Sequence, residues 1–158
     1  MEERPSVYGF VGRSEAFFAL ATALNDRCLA DLELSHPFSH SDQDPDHVRH
    51  LAAYLAEVFG GPPIYTALGG HSVMLEMHAG SGAGHDLATR FLACFDQAID
   101  DAGFPDDPEL RRVLHDYMAY ATQEVDDLSP VGMRAPENLA MPLWSWDGKV
   151  DSTDELSN

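Results

Sequence analysis

An all-α fold follows from three features of the sequence. Apolar residues recur at three- and four-residue spacing over several long stretches, helix start and stop signals separate those stretches, and no segment sustains the period-two alternation of a strand. A length of 158 residues suits one domain with its own core, and 44% hydrophobic residues is ordinary for a globular chain.

The first stripe is Phe17, Leu20, Ala21, Leu24 and Cys28, which predicts a helix from an N-cap at Ser14, with Glu15 in its first turn, to about Asp31. Residues 1–13 read as a short lead. Pro37 and the Ser/Asp cluster around it break the pattern. Asp44-Pro45 then reads as an N-cap followed by a proline at the first helical position. Val48, Leu51, Leu55 and Val58 or Phe59 form the buried face of the helix that follows. Gly60-Gly61-Pro62-Pro63 stops it.

His71 to His78 reads as a short helix, ended by a glycine-rich run from Gly80 to Gly84. Leu87, Phe91, Cys94, Phe95 and Ile99 predict a helix from about His85 to Ala102. Asp107-Pro108 opens a last one to about Asp127, carrying Leu110, Val113, Leu114, Tyr117, Ala121 and Val125. The domain is therefore placed at residues 1–128. Residues 129–158 form an extension whose Trp144 and Trp146 are expected to pack on the helical body and whose polar end is expected to fray.

Composition excludes several functions. A formal charge of −18 opposes binding to nucleic acid or to an anionic membrane, because both need Lys and Arg, and these number 9. The acidity suits either a solubilising surface or adaptation to high salt. No apolar run reaches the roughly 20 residues of a membrane span, and MEERPSVYGF lacks the build of a signal peptide, so a cytoplasmic address is expected. Cys28 and Cys94 are then expected as reduced, buried thiols. No CxxC, GxSxG, Walker loop or HExxH is present.

That leaves the histidines. His47 and His50 sit near the start of one helix, and His78 ends another. Neutral imidazole binds zinc, copper or iron, so two facing helices could grip a metal directly or hold a haem iron between them. Equally, a histidine ending a short helix can simply answer the negative end of its dipole. Spacing alone leaves these alternatives open.

The ordered set LNDRCLAD, HPF, HVRHLAAYLAEVFGGPPIY, GGHSVMLEMH and DLATRFLACFDQAI resembles the truncated haemoglobins, most closely their second group. The likeness spans roughly residues 8–127, through Gly60-Gly61-Pro62 with Tyr65, then Gly70-His71, then His78 seven residues on. The resemblance implies a shortened globin, two helix pairs crossed around haem b, with His78 as the proximal iron ligand. It also implies that Phe38, Leu51, Tyr54, Leu55, Met74 and Phe91 line the haem. His47 would face the sixth coordination site, as a distal ligand or hydrogen-bond donor.

Two distal donors of the group are replaced here. Asn25 stands for the usual tyrosine and Phe91 for the usual tryptophan, so Asn25 and His47 would make the ligand contacts. The glycines after His78 replace a more apolar stretch, which bears on how its ring is held. The implied function is binding of oxygen, carbon monoxide or nitric oxide, as an oxygen-transport protein or with nitric oxide dioxygenase or peroxidase-like activity served by a reductase. The expected state is a monomer or homodimer. The competing reading is a non-haem helical binding or sensor module, or a mononuclear His-metal protein.

Overall fold

Seven α-helices and one short hairpin make up the described residues of the computed structural model, which are 5–31, 33–34, 46–82 and 85–150. The helices are α1 (Val7–Val11), α2 (Arg13–Ala30), α3 (His47–Val58), α4 (Ile64–Ala67), α5 (His71–His78), α6 (His85–Asp101) and α7 (Pro108–Asp127). Strands β1 (Trp144–Ser145) and β2 (Gly148–Lys149) pair antiparallel.

The long helices fall where their stripes predict, and their ends show why. Asp107 accepts from the backbone N–H groups of Glu109 (2.9 Å) and Leu110 (3.0 Å), with Pro108 at the first turn. The start of α2 differs from expectation. Gly12, at φ 119°, both ends α1 and precedes α2, which begins at Arg13; the Ser14 hydroxyl instead meets the Tyr8 hydroxyl at 2.8 Å. The lead itself contains a helix, α1, capped by Ser6. The Asp44-Pro45 signal lies outside the described residues, and Asp46 immediately precedes α3.

Helix α4 was not legible as a helix, because its start depends on a distant side chain. Glu57 on α3 is 5% exposed, and its carboxylate accepts from the backbone N–H of Thr66 (2.9 Å) and from the Thr66 hydroxyl. The Gly-Gly-Pro stop has a steric reason as well. A Cβ on Gly61 would lie 2.8 Å from both the Ala56 carbonyl oxygen and the Tyr8 ring.

Helix α2 packs on α3 and on α6, and α6 packs on α7, so two helix pairs close on one core. Phe17 is its centre, stacked on Phe59 and on Tyr8 (6.0 Å each) and edge-on to Phe104 (6.1 Å). Each such ring contributes on the order of 2–3 kcal/mol by leaving water. Cys28 and Cys94 are free and buried beside one another between α2 and α6, and burial pushes the Cys28 thiol up, as expected of an inert reduced pair.

The segment after α7 is a strap across α5. The backbone N–H groups of Gly80 and Gly82 donate to the carbonyls of Leu128 (2.9 Å) and Ser129 (2.7 Å). Glu76 accepts from Arg134 (2.6 Å) and from the Ala135 N–H (2.8 Å), and the Leu139 N–H donates to Ser72 Oγ (2.8 Å). Gly80, at φ 69°, also leaves room for the Met133 carbonyl, which a Cβ would approach to 3.1 Å. Both tryptophans pack on the body. Trp144 stands edge-on to Tyr117 (5.7 Å), while Trp146 meets Phe10 (5.1 Å) and donates to the Pro5 carbonyl (2.7 Å). The polar end, 151–158, lies outside the described residues.

Candidate functional site

Helix α5 is only two turns long, and it places His78 at its C-terminal end, where the ring is exposed. His78 Nδ1 lies 2.8 Å from the Met74 carbonyl oxygen one turn back. A carbonyl only accepts, so Nδ1 carries the proton and the neutral ring presents its lone pair at Nε2. One hydrogen bond thereby fixes both tautomer and ring orientation, as metal-binding histidines require. The strap holds the turn that follows through Gly80 and Gly82, so the glycine run does not leave this end of α5 untethered.

Three of the residues expected to line the site have a shared character. Leu51 on α3, Met74 on α5 and Phe91 on α6 are half-buried, packed on the core with part of their apolar surface left uncovered. Asn25 on α2 is buried, and its Oδ1 has no hydrogen-bond partner. Leaving a buried acceptor without a donor costs about 1–3 kcal/mol. His47 opens α3, half-buried, with its Nε2 out of solvent. Phe38 lies outside the described residues.

Tyr54 and Leu55 stand deeper. Leu55 is 1% exposed inside the core. Tyr54 is 4% exposed, edge-on to Tyr65 (5.0 Å), and its hydroxyl lies 2.8 Å from Nδ1 of His71. The other ring nitrogen of His71 meets Glu124 Oε1 at 2.9 Å. This buried Tyr54–His71–Glu124 chain was missed in the sequence. Its one legible trace is Glu124, which falls three residues after Ala121 on the apolar stripe of α7.

Among the described residues no three His, Cys, Asp or Glu side chains converge as a non-haem metal site requires, and no helix is long and apolar enough to cross a membrane.

The sequence pattern of the family described as bacterial-like globin matches residues 6–125. The chain is 28% identical over 103 residues to group 2 truncated hemoglobin 3-1 of Lotus japonicus, a match covering 64% of this chain and 61% of that protein. It thus spans about three fifths of that curated relative's length. Among solved structures, the hemoglobin of Chloroflexus aurantiacus superposes with a TM-score of 0.67 at 29% identity, covering 77% of this chain and 98% of that one. The group II truncated hemoglobin of Bacillus anthracis gives a TM-score of 0.69 at 20% identity, over 87% and 98%. The latter likeness speaks to the fold alone. With three quarters of its length matched and its two helix pairs superposing on these globins, the chain belongs to the bacterial-like globin family, with group II truncated haemoglobins as its homologues and haem as the cofactor its membership implies.

Proposed function

We propose that the chain holds haem b through His78 and uses it to bind diatomic ligands. The observation that carries this reading is the His78–Met74 hydrogen bond, which leaves an oriented, exposed imidazole with its Nε2 lone pair outward. The other residues fit the group. Leu51, Met74 and Phe91 keep uncovered apolar surface suited to a porphyrin face, and the orphaned Oδ1 of Asn25 marks a buried polar site without a partner. Tyr54 and Leu55 would support that lining from behind, because both are buried in the core.

Bound haem supplies reversible association with oxygen, carbon monoxide or nitric oxide and, with a reductase, redox chemistry such as nitric oxide oxidation or peroxide turnover. The residues of the chain do the rest. His78 would ligate the iron, and Met74 sets its tautomer. Leu51 and Phe91 exclude water. His47 and the Asn25 amide would offer hydrogen bonds to a bound ligand, in place of a tyrosine and a tryptophan.

The test is the absorption spectrum of the purified protein in ferric, reduced and carbonyl forms, with haem content quantified. A haem spectrum that shifts with carbon monoxide is expected, and the ferric spin state reports whether His47 reaches the iron. A colourless protein that takes up no added haem would leave only the fold.

A further inference from the structure

We propose that Tyr54 is a redox-active tyrosine, with His71 and Glu124 as its built-in proton acceptor and Tyr117, Trp144 and Tyr120 as its electron path to the surface. The protonation pattern follows from the partners. The Glu124 carboxylate accepts, so His71 carries a proton on Nε2, and in the neutral ring Nδ1 is then a lone pair that receives the Tyr54 hydroxyl. The Tyr117 phenol, buried in the same core, is a close neighbour of the Tyr54 hydroxyl and is among the groups that push it up.

A buried phenol cannot lose its electron alone, because the phenol radical cation left behind is a strong acid in an apolar site. Loss of the electron must be coupled to loss of the proton. Here the acceptor is in place at 2.8 Å, and the imidazolium formed is met at once by a carboxylate at 2.9 Å. Burial pushes the Tyr54 hydroxyl well above the ordinary phenol range, so it stays protonated until it is oxidised.

The electron path is a run of aromatic rings. From Tyr117 the next ring is Trp144, 5.7 Å away edge-on, and then Tyr120 at 5.9 Å. Tyr120 is 38% exposed, and the Lys149 ammonium lies 5.9 Å above its ring. Trp144 Nε1 is buried without an acceptor, so an oxidised Trp144 has nowhere to send its proton and passes the hole on. Of these rings, Tyr54 is the one served by a base, so the hole settles there.

A strong one-electron oxidant takes one electron from Tyr54, and the phenolic proton moves to His71 Nδ1, leaving a neutral tyrosyl radical beside an imidazolium–carboxylate pair. A one-electron donor at Tyr120 returns one electron through Trp144 and Tyr117, and the proton moves back from His71 to Tyr54. The oxidant inside the protein would be the haem centre after reaction with peroxide, and that identification alone rests on the haem reading above. Leu51, proposed to line the haem, lies one turn before Tyr54 on α3.

The test uses the full chain and two oxidants. One is hydrogen peroxide added to the haem-loaded protein, and the other is a photogenerated ruthenium(III) polypyridyl, which needs no haem. Freeze-quenched electron paramagnetic resonance is expected to show a tyrosyl radical that narrows in protein made with ring-deuterated tyrosine, and formation that slows in deuterium oxide. Tyr54→Phe, which keeps the ring, should lose the signal, and Glu124→Gln, at a half-buried position, should lower its yield severalfold. Tyr120→Phe should leave its yield intact but slow its decay with added ascorbate. A radical unchanged by Tyr54→Phe, or none with the ruthenium oxidant, overturns the proposal. A radical with ruthenium but not with peroxide keeps the relay and removes the haem as its oxidant.

Discussion

Helix α5 carries one histidine at each end, and the two are in opposite circumstances. His71 is 4% exposed, with one ring nitrogen engaged by Tyr54 and the other by Glu124. His78, seven residues later, is exposed, and it spends only Nδ1, on its own helix. A saturated imidazole in the core orders its neighbours and can hold a proton between them. An imidazole with one oriented lone pair at the surface can take a metal. Residue type and helix are the same, so the partners decide the role.

The largest effect that tests this contrast is loss of the cofactor. His78→Ala is expected to abolish stable haem binding while leaving the melting temperature of the haem-free chain nearly unchanged, because the side chain is exposed and its one bond is local. Added imidazole should restore a ligated spectrum. A normal haem spectrum in the variant without imidazole would mean that some other residue ligates the iron, and the contrast would collapse.

His71→Leu should do the reverse. It strands the Tyr54 hydroxyl in the core and leaves Glu124 without its partner, which costs about 2–3 kcal/mol. For a domain of this size that is a fall of roughly 5–10 °C in melting temperature. The haem spectrum per folded molecule should persist. Loss of haem without loss of stability would place His71 in the binding site and erase the distinction.

The helices were legible because their signals are local. The Asp107-Pro108 cap, the stripe from Phe17 to Cys28 and the Gly60–Pro63 stop need only near neighbours to take effect. What stayed hidden depends on contacts far apart in sequence. Glu57 reads as a surface residue until Thr66 is folded against it, and Ser14 reads as a cap until Tyr8 claims its hydroxyl. For the site, His78 stood out only through the ordered resemblance, whereas its Met74 hydrogen bond is ordinary i to i−4 geometry of a helix end. The Tyr54–His71–Glu124 chain joins three helices, and only Glu124 on an apolar stripe hinted at it. The strap across α5 joins positions more than fifty residues apart and left no trace in the pattern.

A smaller effect is expected on the opposite side of the proposed haem. If His47 donates to bound ligand, His47→Leu removes one hydrogen bond of about 1 kcal/mol, and oxygen dissociation should quicken about fivefold. Stopped-flow release of oxygen measures this directly. An unchanged rate would move the distal contact to the Asn25 amide N–H group on α2.

The smallest effect concerns how the exposed end of α5 is held. The Ala135 backbone N–H, and after it Arg134, hold the Glu76 carboxyl below its usual range. A carboxyl whose pKa is lowered by folding stabilises the fold at pH above the ordinary glutamate range. That contribution fades as pH falls through the depressed folded value. Acid should therefore loosen the strap from α5, seen as faster amide exchange at Ala135 and Gly80, and Glu76→Gln should remove this acid-side step while His71 and its partners stay protected. Because Arg134 is 81% exposed, added salt should weaken its share of the effect. If the His71 cluster opened at the same pH as the strap, the two ends of α5 would be one cooperative unit rather than two, and the difference between its histidines would lie in exposure alone.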